Sequence, residues 1–292
     1  MMRALVVTLS LLLATPALAF DLGGFGIDTG GNNKNAKQMR QLNQVFKFAS
    51  ALVPISDEEE IILGKRVAAK VIERYGIVNA PQLTYYLNLI TTAIAQRSDR
   101  PEIPYHVAIL ATDDVNAYAC PGGYIFVTRG VLSMVRDEAE LAGVLAHEVS
   151  HVTERHIVNA LRNSKLMKVG SEVAADAFRT PGPLLDQMTS FATDALFEGL
   201  DKSDEYESDE KAIDYLDRIG YDYPAMYDVL KKLEIRRKYG STKVLDKTHP
   251  TPSSRLQKLR ASAPKLSLEK PSGIRLPNRF ATHTSTHKKS AS

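Results

Sequence analysis

Residues 141–156 read LAGVLAHEVSHVTERH. Within the stretch, His147, Glu148 and His151 form a His-Glu-x-x-His pattern. Residues four apart share one face of an α-helix, so a helix here aims both imidazoles at one point, at about 2 Å from a single zinc ion. Glu148 lies one position round from His147, which puts its carboxylate beside such an ion instead of on it. There it accepts a proton from a water whose pKa the metal lowers toward about 7. The preceding ELAGVLA (140–146) is apolar enough to be buried, and buried histidines and carboxylates need partners. Asp137 and Glu140 supply a cap and box that start the helix.

A catalytic zinc takes three protein ligands and keeps one position open. A third His six residues after His151 would stand at Ile157, and His156, five after it, falls off the shared face. The other source is a carboxylate on a second helix. SDEYESDEKAIDYLDRIG (203–220) reads as that helix, ending at Gly220. Ala212, Ile213 and Leu216 mark its buried side; carried back by three and four residues, that side takes in Asp209, Ser208 and Glu205. Glu207 and Asp214 fall outside and Glu210 at the edge. Glu205 and Asp209 are thus the inward acids, and Glu205 can be the third ligand. Asp209 is expected to accept the second ring N–H of a ligating His and so orient it.

The rest of the chain sets the frame. Of 292 residues, 44% are hydrophobic and 24% charged, with a net charge of +3, which is globular composition without the basic excess of a nucleic-acid binder. Arg3, the short apolar run ALVVTLSLLLA (4–14) and ALA at 17–19 read as a signal peptide cut after Ala19, hence export to the periplasm as a soluble protein. Residues 20–54 read as a Gly- and Asn-rich lead-in followed by a helix at 37–52. The single Cys120 excludes an internal disulfide framework and is expected to be a half-buried thiol in a strand. Ser56 with Glu59 opens a helix to Gly76, and a second helix covers 81–97. YHVAILAT (105–112) and YIFVTRG (124–130) are strand-like, with CPGG (120–123) as a hairpin turn. RTPGPL (179–184) breaks 164–202 into a partly ordered insertion beside the site. Helices follow at 223–240, from Pro224, and within 247–261. Residues 263–292 are expected to be a disordered basic tail, since 270–292 carry five Lys or Arg and no acid. The expected fold is α+β and mostly helical, a zincin-type metalloprotease domain over 55–262 with a small sheet and an active-site helix.

Four stretches in this order, NAYACPGGYIFVTRGVL (116–132), ELAGVLAHEVSHVTERH (140–156), EYESD (205–209) and THPTPSSRL (248–256), resemble the HtpX-like gluzincin metallopeptidases, and within them the soluble, exported, BepA-like branch. The chain departs from that pattern at Ser208, where Ala is usual, and at Asp204, where a basic residue is common. Thirty-six residues follow THPTPSSRL, and the C-terminal helical-repeat domain of such relatives is not expected to fit in them. The resemblance places the third ligand at Glu205, in agreement with the helical-face argument. It implies one Zn2+ per chain and an endopeptidase acting on unfolded, misfolded or misassembled envelope proteins, with peripheral contact to envelope complexes or the membrane surface. An extended substrate would pair with a strand at 116–120, through Asn116, Ala117 and Tyr118, or at 124–128. His249 would either close the zinc as a fourth ligand or hydrogen-bond the developing oxyanion; Arg255 would hold that loop or the oxyanion. Two other readings stay open at this point: a zinc-stabilised, chaperone-like binding protein with little proteolysis, and a structural zinc domain in an envelope complex.

Overall fold

The computed structural model describes residues 55–164, 177–179, 182–239, 244–262 and 273–288. The expected signal peptide, lead-in and helix at 37–52 lie outside these residues. The sheet has three strands, β1 (His106–Leu110), β2 (Ala117–Cys120) and β3 (Tyr124–Thr128), in the order β1-β3-β2. β3 runs parallel to β1 and antiparallel to β2, with Val107 opposite Ile125 and Tyr118 opposite Phe126. The β2–β3 hairpin is the one expected. Its turn needs Gly122 and Gly123, whose φ values of 67° and 91° lie in the left-handed region. Because β3 is the central strand, 124–128 has no free edge for a substrate, which corrects that alternative. β2 is an edge strand.

Side chains alternate across the sheet and serve two cores. Val107, Ile109, Ile125 and Val127 face the larger core, with α2 (Pro81–Ala95) and the motif helix α4 (Glu138–Thr153), which follows the short α3 (Arg129–Met134). Leu110, Tyr118, Cys120 and Phe126 face a second core made by α1 (Asp57–Tyr75), α5 (His156–Asn163) and α6 (Pro183–Glu198). Cys120 is thus fully buried, more than the half-burial expected, and burial pushes its thiol pKa up. α6 is a regular helix burying Leu185, Met188, Ala192 and Leu196, so this part of 164–202 is better ordered than its Pro and Gly suggested.

All 16 residues of α4 are buried, as befits the central helix of a domain. α7 (Lys202–Arg218) and α8 (Pro224–Lys238) pack on it. The short α9 (Leu245–Thr248) packs on α6, and α10 (Pro252–Ser262) packs on α7 and α8. No helix among the described residues is long and apolar enough to cross a membrane.

α1 is tied down at its start. The Ser56–Glu59 capping box forms as expected, and the buried Glu60 binds Arg100, Arg155 and the Gly122 amide. One turn further on, a Cβ on Gly64 would sit 1.8 Å from the carbonyl oxygen of Pro121. Gly64→Ala is therefore expected to destabilise by about 1–3 kcal/mol through the clash, although Ala gains about 1 kcal/mol of helix propensity over Gly. A lowered urea midpoint would report the net loss.

The expected disorder of the tail is corrected over residues 273–288. Residues 263–272 and 289–292 lie outside the described set, but α11 (Pro277–Lys288) packs on the domain. Phe280 is 2% exposed and belongs to the larger core. Arg275 and Arg279 pair with Asp137, Glu138 and Glu140 around the start of α4. The basic composition matched buried acids that a local reading of the tail does not see.

Candidate metal centre

α4 and α7 place the candidate ligands. His147, Glu148 and His151 come from the C-terminal half of α4; Glu205 and Asp209 come from the first turns of α7, and all five are at most 7% exposed. The helical-face argument for α7 holds: Glu205, Ser208 and Asp209 are buried, while Glu207 keeps a half-exposed side chain.

The donor atoms converge. His147 Nε2 and His151 Nε2 are 3.1 Å apart; Glu205 carboxylate oxygens lie 3.6 Å from the first and 3.5 Å from the second. His249 Nε2 is 3.5 Å from Glu205 Oε2. Ligands at zinc-bond length around a tetrahedron are about 3.3 Å apart, so these spacings fit a zinc ion. His147, Glu205 and His249 each offer a ligand atom within 4.8 Å of the others. Glu205 Oε2 is buried and has no hydrogen-bond donor, a state that a cation resolves.

The charges point the same way. Burial would raise the Glu205 pKa, but the surrounding histidines, His249 foremost, hold it well below the usual range. Asp209 is likewise penalised by burial, yet Arg255 and His147 keep it ionised, at about 2. Burial and Arg255 oppose protonation of His147, but Asp209 and Glu205 outweigh them and lift it to about 9. A buried site with two carboxylates thus demands positive charge. Burial drives His151 well below its ordinary value and His249 to about 4, leaving neutral imidazoles suited to a metal. Burial also raises Glu148 to about 7, the range where a carboxylate serves as a proton acceptor and donor near neutrality.

A second layer orients the histidines. Asp209 Oδ1 is 3.1 Å from His147 Nδ1, which leaves Nε2 facing the cluster. Arg255, 3% exposed, grips Asp209 through Nε at 2.8 Å and a terminal nitrogen at 2.5 Å. Its guanidinium thus holds the carboxylate that holds His147, and its bonds go there and not to the His249 loop. His156 was set aside as off the ligand face, and its role was missed. The chain leaves α4 through Arg155 in the left-handed conformation, φ 57°, and this swings His156 back under the helix. Its Nδ1 is 2.9 Å from His151 Nδ1, and its Nε2 is 3.4 Å from Glu207. The i+5 spacing gave no helical signal for this contact, because a break in the helix creates it.

β2 runs along the site. Ala117, Tyr118 and Ala119 line one cleft with Glu148, His151, Glu205 and His249. The Tyr118 ring is committed to the second core, stacked on Tyr75 with centroids 5.7 Å apart, so its backbone alone is free for a ligand. Asn116 is 1% exposed and its Oδ1 has no partner; the residue lines an adjoining apolar recess with His147 and Glu148. Val131, Met134, Val144, Met226 and Leu233 form the apolar wall of that recess.

Two histidines one helical turn apart, a carboxylate from a second helix and a buried glutamate beside them define a gluzincin-type metal centre. Over residues 81–263 the chain matches, and belongs to, peptidase family M48. It is similar to the beta-barrel assembly-enhancing protease of Escherichia coli O157:H7, at 33% identity over 196 residues, 64% of this chain and 40% of that protein. It is similar also to the metalloprotease YcaL of Escherichia coli K12, 26% identical over 54% of this chain and 61% of the relative. The mitochondrial metalloendopeptidase OMA1 of Schizosaccharomyces pombe is 23% identical over 64% of this chain and 55% of its own length. The chain therefore spans about half the length of these relatives.

Proposed function

We propose that the chain is an exported zinc-dependent endopeptidase that cleaves misfolded or misassembled envelope proteins in the periplasm. The convergence of His147, His151 and Glu205 on one point, with Glu148 buried beside it, carries this reading. Membership of a peptidase family and relatives named as metalloproteases support the activity. The relative named for β-barrel assembly supports envelope proteins as substrates, and the signal-like segment at 1–19 supports the compartment.

A zinc ion held by His147, His151 and Glu205, one per chain, supplies a Lewis acid for the scissile carbonyl and lowers the pKa of the attacking water. Glu148 takes the proton from that water as its oxygen bonds to the carbonyl carbon, then passes the proton to the amide nitrogen as the C–N bond breaks. The substrate backbone pairs with the edge of β2 at Ala117–Ala119. Asn116 Oδ1 accepts a substrate amide, and the apolar recess takes an aliphatic side chain beside the scissile bond. Nothing in this arrangement calls for nucleic acid, and contact with envelope complexes or the membrane surface is left to regions away from the cleft.

His249 favours a second state of the same site. Its Nδ1 is held at 2.7 Å by the Thr248 hydroxyl, which turns Nε2 toward Glu205 and the fourth position. In this state His249 occupies the position the attacking water needs, and cleavage is held back until it swings away. Casein cleavage by the purified protein and by His249→Ala tests both readings. Faster cleavage in His249→Ala, by about tenfold or more, identifies a blocking ligand. Slower cleavage with zinc retained identifies an oxyanion donor. Absence of zinc-dependent cleavage from both proteins contradicts the endopeptidase.

A further inference from the structure

The C-terminal segment 273–288 lies beyond the residues that match the peptidase family, yet it closes the end of the active-site helix. The Arg275 carbonyl accepts hydrogen bonds from the Glu138 and Ala139 amides, at 3.0 and 3.2 Å. These are first-turn N–H groups of α4 that no helical carbonyl reaches. The Arg275 guanidinium bonds Asp137 at 2.8 Å, Asp228 at 2.9 Å, Asp222 at 3.1 Å and Glu140 at 3.3 Å. One residue thus ties the start of α4 to the α7–α8 turn and to α8. The backbone repeats the link: Ile274 donates to the Gly220 carbonyl at 3.1 Å and accepts from Asp222 at 3.0 Å. Arg279 pairs with the fully buried Glu138, and Phe280 enters the core beside them.

The position of this strap gives it a function. The two helices that carry the candidate ligands pack on each other, and the strap binds the residue that opens α4 and the turn that follows α7. The ligands sit at the other end, His147 and His151 late in α4 and Glu205 early in α7. A helix is stiff along its length, so a clamp at one end fixes the spacing of side chains at the other.

We infer that the segment Gly273–Lys288 belongs to the catalytic unit, and that Arg275 is a positioning residue whose carbonyl and guanidinium lock the active-site helix against the helix bearing Glu205. The inference rests on the proposed function for its zinc-release and kinetic readouts, while amide exchange is independent of it. Detaching the strap leaves Asp137, Glu140 and Asp222 without a common cation and frees the two ligand helices to shift relative to each other.

Arg275→Gln and Arg275→Lys in the full chain test it by three readouts. In the first, amide hydrogen exchange at Glu138 and Ala139 is expected to rise at least tenfold in Arg275→Gln. In the second, zinc release to a chelator is expected to accelerate at least tenfold. In the third, kcat falls while KM stays within twofold, because the cleft residues are untouched. Arg275→Lys, which keeps the charge but not the fork, is expected between the two. A folded Arg275→Gln with unchanged zinc release and unchanged kcat overturns the inference. If Arg275→Gln does not fold, Asp228→Asn carries the test, because it removes a half-buried partner of Arg275 and leaves the buried ones. Unchanged zinc release and unchanged exchange in Asp228→Asn then overturn it. Should the wild-type protein hold zinc but cleave nothing, the endopeptidase reading fails alone. Zinc release and exchange still decide the role of the strap.

Discussion

Glu148→Gln is expected to lower kcat/KM for an unfolded protein substrate by about 10²–10⁴-fold while leaving zinc content and melting temperature near wild type. Glutamine keeps the size and one acceptor of the side chain but cannot hold the proton. Glu148 is 4% exposed, and burial, its largest influence, raises its pKa to about 7. It is not needed to complete the ligand set, which is why metal retention and loss of cleavage should separate. Metal analysis and a casein assay on one preparation check this. Cleavage within tenfold of wild type would remove Glu148 from the mechanism, and loss of zinc in the variant would make it a ligand.

Asp209→Ala is expected to act on both metal and fold. Asp209 sits between His147 Nδ1, at 3.1 Å, and the Arg255 guanidinium, and all three side chains are at most 4% exposed. Removing the carboxylate unties the His147 ring, which is expected to weaken zinc binding by about 10–100-fold. It also leaves the Arg255 charge buried and unpaired, at a cost of about 3–5 kcal/mol. Asp209→Ala combined with Arg255→Met separates the two effects. Stability should largely return once no unpaired charge remains, while zinc affinity stays low because His147 still lacks its acceptor. Competition with a chromophoric chelator and urea unfolding of the single and double variants measure the two terms. Equal stability of Asp209→Ala and the wild type would contradict the buried pair.

The sequence made the candidate metal centre legible where the chemistry follows helical periodicity. His147 and His151 are one turn apart, and the apolar stripe of Ala212, Ile213 and Leu216 points Glu205 and Asp209 inward. The Ser56–Glu59 box, the hairpin and the Gly220 helix end were also legible, because each depends on residues adjacent in the chain. What was not legible depends on long-range contacts. His156 reaches His151 only because Arg155 leaves the helix in the left-handed conformation. Arg255 finds Asp209 across 46 positions of sequence. Strand order decided that 124–128 lies in the sheet centre. The tail misled most: its Lys, Thr and Ser content reads as solvated chain. Pro277 at a helix start, Phe280 one turn further and two arginines met buried carboxylates from the start of α4 and the α7–α8 turn and a half-buried one from α8.

The most direct test of the metal centre is zinc content and casein cleavage on the same purified protein, handled without chelator and then treated with one. One zinc per chain, with cleavage lost on chelation and restored by added zinc, is the predicted result. A chain that holds no zinc, or cleavage that survives complete metal removal, would contradict a catalytic site built from His147, His151 and Glu205.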